Sequence, residues 1–148
     1  VAIAALLHDC GREVPTKESV AWAQAHDFPV DEIEENQPIL LHSKIGTYFA
    51  KEKYGINDIE ILDAIRYHTT GTDNMTDLAK IVFLADIIEP NRDYPGVDDL
   101  RKASFKNLDK AMLMAYSNTT TYLFEEGLLV HPNCIKGYNE LVLKAKKK

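Results

Sequence analysis

Five side chains of this 148-residue sequence can ligate a metal ion and fall where helical phase turns them inward: His8, Asp9, His42, His68 and Asp86. His8-Asp9 closes the apolar run Ala4-Ala5-Leu6-Leu7. Ile45 and Phe49 follow His42 by three and seven residues, so His42 lies on an apolar stripe. Gly46 comes one turn later and leaves room beside the imidazole. Ile61, Ala64, Ile65 and His68 share one helical face, which Thr69-Thr70-Gly71 terminates. Asp86 interrupts the stretch from Lys80 to Ile88, which is apolar nearly all round. A lone carboxylate in such a helix is costly unless it is paired, protonated or bound to a cation.

Taken singly, each residue has a plainer reading. A histidine on an apolar face is most often a core residue with one satisfied hydrogen bond. Asp86 could pair with a buried arginine, and His-Asp is a common dipeptide. Three histidines and two aspartates that all face inward, four of them at or near helix ends, form a different object. Imidazole and carboxylate ligands without thiolates suit iron, manganese or zinc. An aspartate can bridge two metals about 3.5–4 Å apart, a spacing that activates a shared water for in-line attack on phosphorus. Cations suited to phosphate oxygens lie nearby in sequence: Arg12, Lys44 and Arg92. His131 and Cys134 could add ligands, but His131-Pro132-Asn133 reads better as a helix cap or a ligand contact. Cys10 beside His8 is a weak candidate nucleophile, because adjacency in sequence is not hydrogen-bond geometry.

Helices must position these groups. The spacing predicts the end of a buried helix over residues 1–9, stopped by Gly11, and a second helix capped by Thr16. It predicts a short acidic turn or helix at Asp31 to Glu35, and a helix from Pro38 to Tyr54 that ends at Gly55. A capping box at Asn57 to Glu60 opens the next one. Thr76 caps the central apolar helix, which stops at Pro90. Helices started by Asp98, Asn107 and Pro132 follow, the second reaching Glu126. No strand alternation, internal repeat or low-complexity segment appears, so the expected class is all-α, in one domain over residues 1–148.

Composition narrows the function classes. A hydrophobic fraction of 45% with 27% charged residues is that of a globular domain. The net charge of −6 argues against a general nucleic-acid binder. No apolar run approaches the length of a membrane helix, and no signal peptide is evident. Two cysteines without metal-knuckle spacing make a reducing, cytoplasmic setting the expectation. The lysines at 144–148 read as a solvated helix end. Val1 stands inside an apolar helical pattern with neither Met nor N-cap before it, so a natural N-terminal helix is expected to be missing.

The sequence resembles the HD-domain superfamily of metal-dependent phosphohydrolases. More narrowly, it resembles the YqeK family of symmetrical bis(5′-nucleosyl)-tetraphosphatases. Leu7-His8-Asp9-Cys10, His42-Ser43-Lys44-Ile45-Gly46, Arg66 to Gly71, Leu84 to Arg92 and Gly127 to Asn139 carry that resemblance. It implies an HD-type helical bundle with two iron ions, manganese or zinc being substitutes, that cleaves diadenosine tetraphosphate into two ADP. It gives His8, Asp9 and Asp86 to one metal, and His42 and His68, with Asp9 bridging, to the other. Asp9 and Arg92 would be catalytic; Arg12, Thr69 and Arg92 would contact substrate phosphates. His131, Pro132, Asn133 and Lys136 would line the nucleotide end. A further histidine that the family carries upstream has no counterpart here. The expected partner is a dinucleoside polyphosphate or another nucleotide, with a second copy of the chain also a candidate. Two other activities fit the same residues: an HD-type nucleotide phosphomonoesterase or phosphodiesterase, and a non-catalytic nucleotide-binding module.

Overall fold

The computed structural model describes residues 2–147. Among them are nine α-helices and no strand: α1 (Ala2–Leu7), α2 (Thr16–Ala25), α3 (Glu32–Asn36), α4 (His42–Glu52), α5 (Ile59–Arg66), α6 (Asp77–Ile88), α7 (Val97–Ser104), α8 (Leu108–Glu125) and α9 (Pro132–Lys146). The class is all-α, as the periodicity implied. Short 3-10 turns at Cys10–Glu13 and Pro38–Leu41 lead out of α1 and into α4.

Caps explain most boundaries. Thr76 accepts from the Ala79 amide, Asn107 from Lys110, and Asp31 forms a reciprocal capping box with Glu34. Four expectations are corrected. Thr16 is already helical, so Pro15 takes the cap position and the Thr16 hydroxyl caps nothing. Asp58 rather than Asn57 caps α5, through the Glu60 amide. The helix expected from Pro38 opens instead as a 3-10 turn and becomes α-helical only at His42. α7 starts at Val97 behind Gly96, whose φ of 93° only glycine adopts without strain, and not at Asp98.

Three hydrophobic clusters hold the helices together. Phe83, Leu84, Leu100, Met112, Tyr116 and Leu141 join α6, α7, α8 and α9. Ala4, Ala64, Ala79 and Val82 join α1, α5 and α6 through small side chains, which let three helices approach closely. Leu41, Ile45 and Phe49 pack against Val20, Trp22 and Tyr48. α1 is not the buried helix expected: among its described residues only Ala4 is buried, and Leu6 is 81% exposed. Val1 lies outside the described residues. The outlet of α1, the start of α4, the end of α5 and the last turn of α6 come together between these clusters.

Candidate metal centre

Backbone carbonyls orient all three histidines in the same way. His8 Nδ1 lies 2.6 Å from the Ala5 carbonyl oxygen, His42 Nδ1 2.6 Å from that of Ile39, and His68 Nδ1 2.7 Å from that of Ile65. A carbonyl only accepts, so each Nδ1 must carry a proton, and in its neutral form each ring presents a bare Nε2 lone pair. Fixing the outer nitrogen in this way is the usual support of a metal-ligating imidazole.

Those Nε2 atoms converge on Asp9. Its Oδ1 is 3.3 Å from His42 Nε2 and 3.4 Å from His68 Nε2, and its Oδ2 is 3.2 Å from His8 Nε2. His8 Nε2 also lies 3.6 Å from Asp86 Oδ1. Asp9 thus stands between two lobes, His42 with His68 on one side and His8 with Asp86 on the other. His8, Asp9 and His68 present ligand atoms that all lie within 4.8 Å of one another. His8 Nε2 is buried and has no hydrogen-bond partner among the described residues. A buried, unpaired nitrogen facing two carboxylates is the feature a bound cation would satisfy, so the donor set fits a divalent metal.

Electrostatics show the same demand for positive charge. In the protein without metal, the Asp86 carboxylate facing it, with the Asp9 carboxylate and the Ala5 carbonyl, pushes His8 up to about 9, against the lowering effect of burial. His68 and the nearby cations hold the Asp9 carboxyl far below the usual carboxylate range. His8 likewise lowers Asp86. Burial pushes His42 down and keeps it neutral. Asp86 is half-buried rather than enclosed, at 28% side-chain exposure.

The sequence-predicted substrate residues fall into three groups. Arg12, Thr69 and Arg92 are beside the cluster. Arg12 pairs with Asp9 at 3.2 Å, and Arg92 donates from Nε to the Asp86 carbonyl and comes within 3.6 Å of its carboxylate. Thr69 Oγ1 meets Ser43 Oγ at 2.9 Å, and Ser43 is itself buried against His68. His131 caps α9 by accepting the Asn133 amide at Nδ1, and its Nε2 therefore donates to Asp31 at 2.8 Å. That pairing ties the start of α9 to the cap of α3 and uses both imidazole nitrogens, so the Asp31, Glu34 and His131 cluster is a structural knot. Pro132 begins α9 at the surface. Lys136 lines a surface hollow with Asp73, Asn74 and Lys144 that contains none of the five candidate ligands.

Lys44 is a correction. It is buried, with Nζ 2.6 Å from Glu34 Oε1 and 2.7 Å from the Pro29 carbonyl oxygen, and so is unavailable to a substrate phosphate. Arg101 was not foreseen. It donates to the carbonyls of Ile88, Glu89 and Arg92, closing the end of α6 and fixing the loop that presents Arg92. Its position on α7 carries no periodic or motif signal.

The helical fold is that of the HD-domain class, and the HD domain family matches residues 1–91, the stretch that carries all five candidate ligands. The chain belongs to the HD-domain family. Three relatives bear the narrower name of symmetrical bis(5′-nucleosyl)-tetraphosphatase. The Bacillus subtilis protein is 39% identical over 140 residues, covering 95% of this chain and 75% of its own length. The Halalkalibacterium halodurans protein is 44% identical over 107 residues, 72% of this chain and 57% of that protein. The Staphylococcus aureus protein is 39% identical over 105 residues, 68% of this chain and 54% of that one. The alignments thus span three quarters of one relative and little more than half of the other two. A crystal structure described as a predicted HD superfamily hydrolase involved in NAD metabolism, from Clostridium acetobutylicum, superposes with a TM-score of 0.90 at 38% identity, covering 96% of this chain and 75% of that one.

Proposed function

We propose that this chain is a metal-dependent hydrolase that splits diadenosine tetraphosphate symmetrically into two ADP. One observation carries the reading: three imidazoles, each held by the carbonyl three residues before it, turn their Nε2 atoms onto Asp9. His8, Asp9 and Asp86 would hold one divalent ion, and His42, His68 and Asp9 a second, iron before manganese or zinc by family resemblance. When bound, such a metal supplies positive charge to phosphate oxygens and an activated water.

The chain's own residues supply the rest. Asp9 stands between the two lobes, with Oδ1 facing His42 and His68 and Oδ2 facing His8, so one carboxylate would serve both ions. Arg92, anchored by Arg101 through its own carbonyl, offers a planar guanidinium to the charge that develops on the phosphate as the P–O bond breaks. Arg12 and Thr69 flank the same opening and would orient the phosphates beside the attacked one. The segment His131, Pro132 and Asn133, docked on α3, would support one nucleoside end.

The test is product analysis. Manganese- or iron-loaded protein should convert diadenosine tetraphosphate to ADP alone, and Asp86→Ala should lose both turnover and bound metal. AMP with ATP as products would overturn the symmetric reading. Rapid cleavage of mononucleotides or cyclic nucleotides with the dinucleotide untouched would favour the phosphomonoesterase or phosphodiesterase alternative.

A further inference from the structure

Beside Arg92 lies a cavity of about 520 Å³ between the loop after α6 and the outer face of α8, lined by none of the five candidate ligands. Its volume is that of a small-molecule site. Ile87, Leu100 and Ala115 make an apolar floor, while Tyr94 and Tyr122 contribute aromatic walls. Its shape is fixed from below: Tyr94 donates its hydroxyl to the Ile87 carbonyl at 2.6 Å, and Arg101 holds the Arg92 carbonyl at 2.7 Å.

The charges in this cavity are arranged with a direction. Among the lining residues Arg92 is the one cation and Glu125 the one anion. Arg92 also touches Asp86, so a phosphate at the metal centre and a group in the cavity can share one guanidinium. A ligand entering from the centre would keep its phosphates at Arg92 and send an uncharged part deeper. Asn118, beside Gly96, offers an amide whose NH2 donates and whose carbonyl oxygen accepts, a match for the edge of a base. A carboxylate such as Glu125 suits ribose hydroxyls. An apolar floor, aromatic wall, amide and carboxylate together describe a nucleoside.

We propose that this cavity receives the second nucleoside of the dinucleoside polyphosphate, the half that departs across Arg92 from the nucleoside supported by the α9 segment. The assignment rests on the hydrolase reading above and adds to it a specificity-determining subsite made by α8. It explains why a symmetric substrate would outcompete a mononucleotide: both ends find a site, with the tetraphosphate spanning the metal centre between them.

Two variants test it with little risk to the fold. Tyr122 is 57% exposed, so Tyr122→Ala removes a stacking wall without opening the core; the exposed Thr119→Trp fills the cavity. Each should raise KM for diadenosine tetraphosphate about tenfold, the scale of one lost base-stacking contact, with kcat and Tm little changed. Phe124→Ala, on the same helix outside the cavity, should leave KM as it is. In metal-free protein, titration with ADP should shift the backbone amide resonances of Asn118, Thr119 and Tyr122. Unchanged KM in both variants, with ADP still the product, would overturn the subsite and leave the hydrolase reading standing. A wild-type protein that does not cleave the dinucleotide would instead overturn the reading on which the subsite rests.

Discussion

His42 and His68 bring their Nε2 atoms to 3.0 Å of each other, although both rings spend their Nδ1 protons on their own backbone. Two neutral imidazoles in that arrangement point lone pair at lone pair, and burial opposes protonating His42. Only a shared proton or a cation relieves the repulsion. Metal should therefore stabilise the fold by mass action, by about 2.7 kcal/mol at a hundredfold excess over Kd. For a domain of this size that is a rise in Tm of several degrees. Thermal melts with and without manganese should show it in full for wild type and a smaller rise for His42→Ala or His68→Ala, which keep the His8, Asp9 and Asp86 donors. Because the readout is the difference between the two melts, any general loss of stability in the variants cancels. A manganese-independent Tm in the wild type would remove the metal assignment.

Lys44 and Glu34 form a buried pair, at 9% and 4% side-chain exposure, that joins α4 to α3 two residues from His42. Removing one partner strands the other charge, a loss of about 3–5 kcal/mol. Lys44→Met should therefore lower Tm sharply. The double variant Lys44→Met, Glu34→Gln should recover much of that loss, because neither group is then charged. Urea unfolding of the four proteins closes the cycle; additivity of the two single losses would mean that the pair does not couple.

The helices and the five candidate ligands were legible because helical phase is local information. An apolar stripe around His42 or Asp86 reports which way the side chain faces, and caps such as Thr76 and Asn107 report where the helix begins. What escaped depends on residues distant in sequence. Lys44 reads as a free cation until Glu34, on another helix, is seen to hold it. The exposure of Leu6 depends on what packs beside α1, which the apolar pattern of α1 does not encode. Arg101 binds three carbonyls, and a backbone acceptor leaves no trace in residue type. The cavity beside Arg92 is invisible for the same reason: it is shared by a loop and a helix whose residues read as an ordinary solvated face.

Gly11 sets how closely the Asp9 turn approaches α4. A methyl group there would collide with the His42 carbonyl oxygen and the Gly46 backbone. Gly11→Ala must push the turn away from α4, an overpacking cost of about 1–3 kcal/mol. The displacement also separates Asp9 from His42 and His68. Metal affinity measured by calorimetry should therefore fall further than Tm alone predicts, and Gly55→Ala, where a Cβ meets nothing within 4 Å, should leave metal affinity unchanged.

Asp109 ties three helices together, with Lys80 of α6 at 2.6 Å and Lys144 of α9 at 2.7 Å. Lys144 first and Lys80 second hold its carboxyl below the ordinary value. A carboxyl depressed in the folded state adds stability above its unfolded pKa of about 3.9, and that stability is lost as pH falls through the folded value. Melts between pH 6 and pH 3 should show a steeper acid-side loss for wild type than for Asp109→Asn. Asp109→Asn should start lower at pH 6. Parallel curves would show that the two lysines do not stabilise the folded carboxylate.

Arg92 and Arg101 divide one task, and kinetics can separate their shares. Arg92 faces the candidate centre, so Arg92→Ala removes a donor from the developing phosphate charge. Loss of one such donor costs about 10²–10³-fold in kcat. The metal ligands remain, so metal content should stay at the wild-type value. Arg101 touches no substrate in this arrangement; it holds the carbonyls of Ile88, Glu89 and Arg92. Arg101→Met should lower kcat less than Arg92→Ala does. Adding Arg101→Met to Arg92→Ala should lower kcat no further, because the loop it steadies no longer carries the guanidinium. Additive losses in the double variant would mean that Arg101 acts on catalysis by some route other than Arg92.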